Sequence, residues 1–143
     1  VSPVDKEIIR RKLAVIVENL DALAAIRDMT ISDYITDLYR RKAAERLLQE
    51  LIEAAIDINT HIIVQTGNTP PDDYYESFIK AGQLAVMPAD LAIKLAPSAG
   101  LRNRLVHEYD LLEHSRVLEA VRTAEELYPV YVKEIEDFIS GSD

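Results

Sequence analysis

Apolar residues recur at spacings of three and four along most of this chain, and the residues that break helices are confined to a few places. Ile9, Leu13, Ile16, Leu20 and Leu23 form one such stripe, and Ala44, Leu48, Leu51, Ala55, Ile58 and Ile62 form a second. Because an α-helix turns once every 3.6 residues, each set lies along a single helix face. No stretch alternates apolar and polar residues as a half-buried strand would. The pattern therefore predicts an all-α protein.

The breakers set the boundaries. Ser2 suits an N-cap and Pro3 a first helical position, so a first helix is expected from about Pro3 to Ile26. A second is expected from Ser32 or Asp33 to Gln65, with the part around Tyr34 to Arg41 partly separate, and Gly67, Asn68, Pro70 and Pro71 end it. A short helix over Asp73 to Ala81 is expected with Asp72 as its cap. Met87 to Ala96, opened by Pro88, reads as another, after which Pro97, Ser98 and Gly100 interrupt and Leu101 to Val106 resumes. A long closing helix runs from about Ser115 to Ile139, with Pro129 inside it. With no repeat and no linker, residues 1–143 read as one domain, a four- to five-helix bundle.

Composition narrows the chemistry. The chain has 143 residues and no cysteine, which excludes thiol nucleophiles, disulfides and thiolate zinc sites. It carries 16 Lys and Arg against 25 Asp and Glu, a net charge of −9. That balance argues against broad, non-specific nucleic-acid binding, which needs many cations to displace counterions. A local basic pocket remains compatible with it. No apolar run approaches the roughly 20 residues needed to span a bilayer, and no signal-peptide pattern opens the sequence. The expectation is a cytoplasmic protein without a membrane segment.

GxxxxGK[ST] and GxGxxG phosphate loops are absent. His107-Glu108 is not an HExxH zinc motif, since Leu111 stands where the second histidine belongs. Three histidines (His61, His107, His114) make a metal site a poor expectation, and no metal or cofactor is expected. His61, between apolar neighbours, reads as a helix-packing histidine with one hydrogen-bond partner. His114 reads as a surface or cap residue beside Ser115. Glu125, Glu126, Glu134 and Glu136 read as a solvated face.

Arg102-Asn103-Arg104-Leu105-Val106-His107-Glu108-Tyr109 differs from the rest. Arginine and histidine together suffice for metal-free phosphodiester cleavage, with the imidazole moving a proton and the guanidinium stabilising charge on phosphorus. Asn103 and His107, four apart, share a helix face, so the amide could orient the imidazole. Arg102 and His107, five apart, point roughly 140° apart on a regular helix. They converge only if the helix ends near His107 or if two copies meet. The same residues would equally suit an arginine-rich turn that makes caps and surface ion pairs.

Arg102-Asn103, a three-residue spacer and His107 resemble the signature of HEPN domains, and the continuation to Tyr109 resembles their HepT branch. Pro71 to Phe78 (PDDYYESF) and Leu101 to His107 (LRNRLVH) resemble that branch as well. The resemblance implies a HEPN-like bundle that forms a homodimer, with Arg102 and His107 of both chains in one composite cleft. It implies a metal-independent RNase toxin of a toxin–antitoxin pair acting on an RNA substrate. Arg102 would polarise the scissile phosphate, His107 would transfer a proton or contact phosphate, and Asn103 would hold the site in shape. The nucleophile would be the RNA 2′-hydroxyl, so DNA should not be cut. Arg104 adds an expected RNA-backbone contact. The implied partner is an MntA-like nucleotidyltransferase antitoxin that adenylylates Tyr109, placing charge and bulk at the cleft. The alternatives are a non-catalytic HEPN-like dimer serving as partner or substrate of such a transferase, and a plain helical scaffold.

Overall fold

A computed structural model describes residues 4–141, all of whose regular elements are helical. They are α1 (Lys6–Arg27), α2 (Ile31–Thr36), α3 (Leu38–Gln65), α4 (Tyr74–Gln83), α5 (Ala89–Leu95), α6 (Ser98–His107), a 3-10 turn (Tyr109–Leu111) and α7 (His114–Ser140). The all-α bundle anticipated from the periodicity is the fold observed. Every member of the two apolar stripes is buried.

The centre of the bundle is α3. It packs against α1, α2, α4, α6 and α7, while α1 also packs on α7 and α4 on α5. Its composition explains that position, because Ile52, Ala54, Ile56 and Ile63 are buried in addition to its stripe. A helix apolar on more than one face must be covered on more than one side. At about 1.5–3 kcal/mol for each large aliphatic side chain buried, this surface is the main attraction holding the shorter helices in place.

Local hydrogen bonding sets the boundaries where the sequence left latitude. Asp5 caps α1, its carboxylate accepting from the N–H groups of Glu7 and Ile8. The cap foreseen at Ser2 and the first position foreseen at Pro3 lie outside the described residues. The expected second helix is fully divided at Asp37, whose extended backbone (ψ 91°) closes α2 and whose Oδ1 accepts from the Arg40 N–H at 2.9 Å to open α3. Asp73, not Asp72, caps α4, accepting from the Glu76 N–H at 2.7 Å. Gly67, at φ 86°, follows the end of α3 as expected of a residue in the left-handed region.

Ser98 and Gly100 lie inside α6, so the interruption after α5 is confined to Ala96 and Pro97. A proline at that point starts a helix at little cost, because its missing N–H would lack an intrahelical partner anyway. Ser115, the expected start of the closing helix, is the second residue of α7, and Glu113 precedes the helix. The α4–α5 contact is close: a Cβ added at Gly82 would stand 2.6 Å from the Ala92 Cβ.

Candidate active site

The Arg102–His107 motif occupies α6 and ends it, since His107 is the helix's last residue. Leu105 points into the core and anchors the helix, which leaves the polar residues of the motif on the outer faces.

Arg102 is the most constrained of them. Its Nε donates to Glu53 Oε1 on α3 at 3.0 Å, and Nη1 donates to Asn103 Oδ1 at 3.2 Å. The guanidinium carbon lies 5.0 Å from the ring centroid of Tyr74, the first residue of α4. Glu53 also accepts from Gln49 Nε2 at 3.1 Å, one helical turn earlier. The Arg102 side chain is only 18% exposed. Three elements therefore converge on one guanidinium. Its pairing with the carboxylate is a charge-assisted hydrogen bond, and a cation over a tyrosine ring contributes about 0.5–1 kcal/mol.

Asn103 is exposed, and its carbonyl oxygen accepts from Arg102. The amide is thus engaged with the arginine before it, whereas the sequence suggested a role in orienting the imidazole. His107 is exposed, and no hydrogen bond to its ring is found among the described residues. No hydrogen bond or ring contact joins Arg102 to His107 among those residues either, as their roughly 140° separation around α6 requires.

Arg104 lies on another side of α6. It lines a groove of about 350 Å³ bounded by α6, the 3-10 turn and α7, together with Leu101, Glu108, Leu111, Arg116 and Tyr128. Neither Arg102 nor His107 lines it. The expected RNA-contacting arginine and the expected phosphate-polarising arginine therefore face different ways within one chain. Tyr109 opens the 3-10 turn two residues after His107 and is 63% exposed.

His61 is half-buried, and its Nε2 accepts from the Asp5 N–H at 3.1 Å, tying the start of α1 to α3. His114 is half-buried at the first position of α7 and packs edge-on against buried Tyr34, with ring centroids 6.4 Å apart. Burial pushes the Tyr34 phenol up to about 12, with the Glu45 carboxylate adding to the shift and Arg41 opposing it. Glu125 departs from the expected solvated face. Its side chain is 12% exposed and lies 3.5 Å from Arg27, and desolvation raises its pKa against the pull of that arginine. Glu126 and Glu136 are exposed and Glu134 half-buried.

Among the described residues no group of three or more His, Asp or Glu side chains could hold a metal ion. No helix among them is long and apolar enough to cross a membrane. Tyr74 lies within the PDDYYESF segment that resembles the HepT branch, whereas no local sequence signal marks Glu53 as a neighbour of Arg102.

Over 136 residues, 95% of this chain and 92% of the other, the sequence is 37% identical to the tRNA nuclease HepT of Aphanizomenon flos-aquae. The fold matches that of the tri-AMPylated HEPN toxin of Shewanella oneidensis, solved in complex with MNT antitoxin. The TM-score is 0.81 at 27% identity, covering 91% of this chain and 97% of that one. A toxin–antitoxin complex with AMP-PNP matches with a TM-score of 0.83 at 26% identity, covering 92% and 98%. The cytosolic protein YutE of Bacillus subtilis, 19% identical, shares the fold at a TM-score of 0.83 over 97% and 93% of the two chains. The family described as ribonuclease HepT-like matches residues 9–139, a span that takes in α6 and every element packed around it, and the chain belongs to that family.

Proposed function

We propose that this protein is a metal-independent endoribonuclease toxin of a toxin–antitoxin pair, acting as a homodimer whose composite cleft carries Arg102 and His107 of both copies. The observation that carries this reading is the contrast between the two residues. Arg102 is fixed on three sides, and His107 stands exposed at the end of the same helix, turned away from it. One chain supplies each group in a usable state but does not supply the pair. A two-fold partner facing α6 would bring the imidazole of one copy to the guanidinium of the other.

The chemistry follows from those groups. The RNA 2′-hydroxyl attacks the adjacent phosphorus and the 5′-oxygen of the next nucleotide leaves, so one P–O bond forms as another breaks. Arg102 stabilises the charge that grows on the non-bridging oxygens. His107 takes the hydroxyl proton or returns one to the leaving oxygen. Asn103 supports Arg102. DNA lacks the nucleophile and is not a substrate. With a net charge of −9, RNA contact is confined to the cleft and weakens with salt. Arg104 contacts RNA backbone beyond the scissile phosphate, from the groove side of α6.

The proposed partner is a nucleotidyltransferase antitoxin. Its reaction joins the Tyr109 phenolate oxygen to the α-phosphorus of ATP and releases pyrophosphate. The product carries a phosphodiester two residues from His107, where its charge repels an RNA phosphate. The likeness to an AMPylated toxin bound to its antitoxin and the exposure of Tyr109 support this reading.

A second reading is favoured by the acidic charge: a HEPN-like dimer that is partner or substrate of the transferase without cleaving RNA. One experiment separates the two. Purified protein is incubated with single-stranded RNA in EDTA, alongside His107→Ala. Cleavage by wild type alone supports the nuclease. Equal cleavage by both proteins sinks it, and AMP transfer to Tyr109 without cleavage by either favours the second reading.

A further inference from the structure

We infer that Glu53 and Tyr74 are positioning residues for Arg102, which hold its guanidinium so that donors on Nη1 and Nη2 are offered to a phosphate. This rests on the nuclease reading above and names parts of the site that the arginine–histidine motif does not contain.

A free arginine has five N–H donors on a side chain with many rotamers, and aiming it at a phosphate costs conformational freedom. Here much of that freedom is already removed. Glu53 Oε1 takes the Nε hydrogen at 3.0 Å, and Asn103 Oδ1 takes one Nη1 hydrogen at 3.2 Å. The Tyr74 ring lies 5.0 Å from the guanidinium carbon and limits tilting out of its plane. Three donors are left over, one on Nη1 and two on Nη2, and a donor from each nitrogen can grip two phosphate oxygens at once. Glu53 is itself steadied by the Gln49 amide at 3.1 Å, and Tyr74 by the cap that Asp73 places at the start of α4.

The Glu53 carboxylate acts in two opposed ways. It orients Arg102, which favours the transition state. It also cancels part of the positive charge that draws RNA to the site, which disfavours ground-state binding. These effects separate in kinetics, because loss of orientation lowers kcat whereas loss of the opposing charge lowers KM. A residue needed only for folding would produce neither signature.

The test measures cleavage of single-stranded RNA in EDTA by the full chain and by Glu53→Gln, Glu53→Ala, Tyr74→Phe and Tyr74→Ala. Circular dichroism and gel filtration confirm that the variants stay folded with unchanged assembly. Glu53→Ala is expected to lose about 10- to 100-fold in kcat with KM equal to or below wild type. Glu53→Gln, which keeps the acceptor oxygen, lies between it and wild type. Tyr74→Phe, which keeps the ring, stays within about twofold of wild type, whereas Tyr74→Ala loses about tenfold. Wild-type kcat in Glu53→Ala, a raised KM with kcat unchanged, or equal losses in Tyr74→Phe and Tyr74→Ala overturns the inference. Should folded wild-type protein cut no RNA, the nuclease reading fails by itself. The arrangement is then judged from the Arg102 Nε–H resonance. Protection from solvent exchange that disappears in Glu53→Ala supports it, and protection unchanged in that variant overturns it.

Discussion

Arg102 and Glu53 stand 49 residues apart in the chain, yet their side chains meet at 3.0 Å. This contact joins the motif helix α6 to the central helix α3 and makes the motif arginine part of the scaffold. A lysine at position 102 would carry the charge without the fork, and could not pair with Glu53 and Asn103 while presenting two donors to one phosphate. Arg102→Lys is therefore expected to lose about 100-fold or more in RNA cleavage. The check is a kcat/KM comparison with wild type, and a loss below tenfold would mean that charge alone suffices.

A composite cleft has a signature in mixed assemblies. Arg102→Ala and His107→Ala should each be inactive. Heterodimers made by co-refolding the two contain one intact arginine and one intact histidine, on different copies. Their cleavage is expected to exceed that of either parent by about tenfold or more, because correct orientation of two groups is worth at least that much. Absence of recovery in heterodimers verified by native mass spectrometry would place both groups' action within a single chain.

The core holds one polar contact whose removal should be costly. Tyr131, fully buried on α7, bonds through its hydroxyl to Asn59 Oδ1 at 2.7 Å and to the Ala55 carbonyl at 3.1 Å. Asn59 is also fully buried, and its Nδ2 has no hydrogen-bond partner among the described residues. Tyr131→Phe strands the amide further and should cost about 1–3 kcal/mol, whereas adding Asn59→Leu should recover part of the loss. Urea denaturation of the single and double variants gives both values.

At Gly82 two effects of substitution compete. Alanine would favour the helix by about 1 kcal/mol, but its methyl would stand 2.6 Å from the Ala92 Cβ. Ala92 has no flexible tail to swing aside, so the clash should win by about 1–3 kcal/mol. Thermal melting should show Gly82→Ala less stable than wild type, with Ala92→Gly restoring much of the loss.

The junction of α2 and α3 should be sensitive to acid. Hydrogen bonds from Arg40, first from its backbone N–H and then from its side chain, hold the Asp37 carboxyl below its ordinary value of 3.8. A carboxylate with a depressed pKa stabilises the folded state above its unfolded value, and that stabilisation disappears as pH falls through the folded value. The melting-temperature gap between wild type and Asp37→Ala should accordingly be full at neutral pH and narrow only below about pH 4. A gap that widens on acidification would contradict the assignment.

Periodicity reported faces faithfully and relations between faces poorly. The stripe from Ile9 to Leu23 and the one from Ala44 to Ile62 are both buried, because a three-four repeat on a helix admits one inward side. Asp37 lay within a pattern that reads as helical on both flanks, and its role depends on the hydrogen bond to Arg40. Glu125 looked like one of several acidic surface residues. Its burial follows from where the end of α1 docks on α7, with Arg122 donating to the carbonyls of Arg27 and Met29. The motif itself is legible because its residues lie close together in sequence, within one helix. Glu53 was not, since nothing local to position 53 announces a partner on α6.

The 3-10 turn that begins at Tyr109 buries none of its three residues, and this bears on how such a protein could be kept in reserve. A bulky group added to that phenol displaces no core packing and opens no helix, so silencing would act through occlusion and leave the melting behaviour almost untouched. The dormant form would be a complete, long-lived molecule, and removing the added group would return activity without any refolding step.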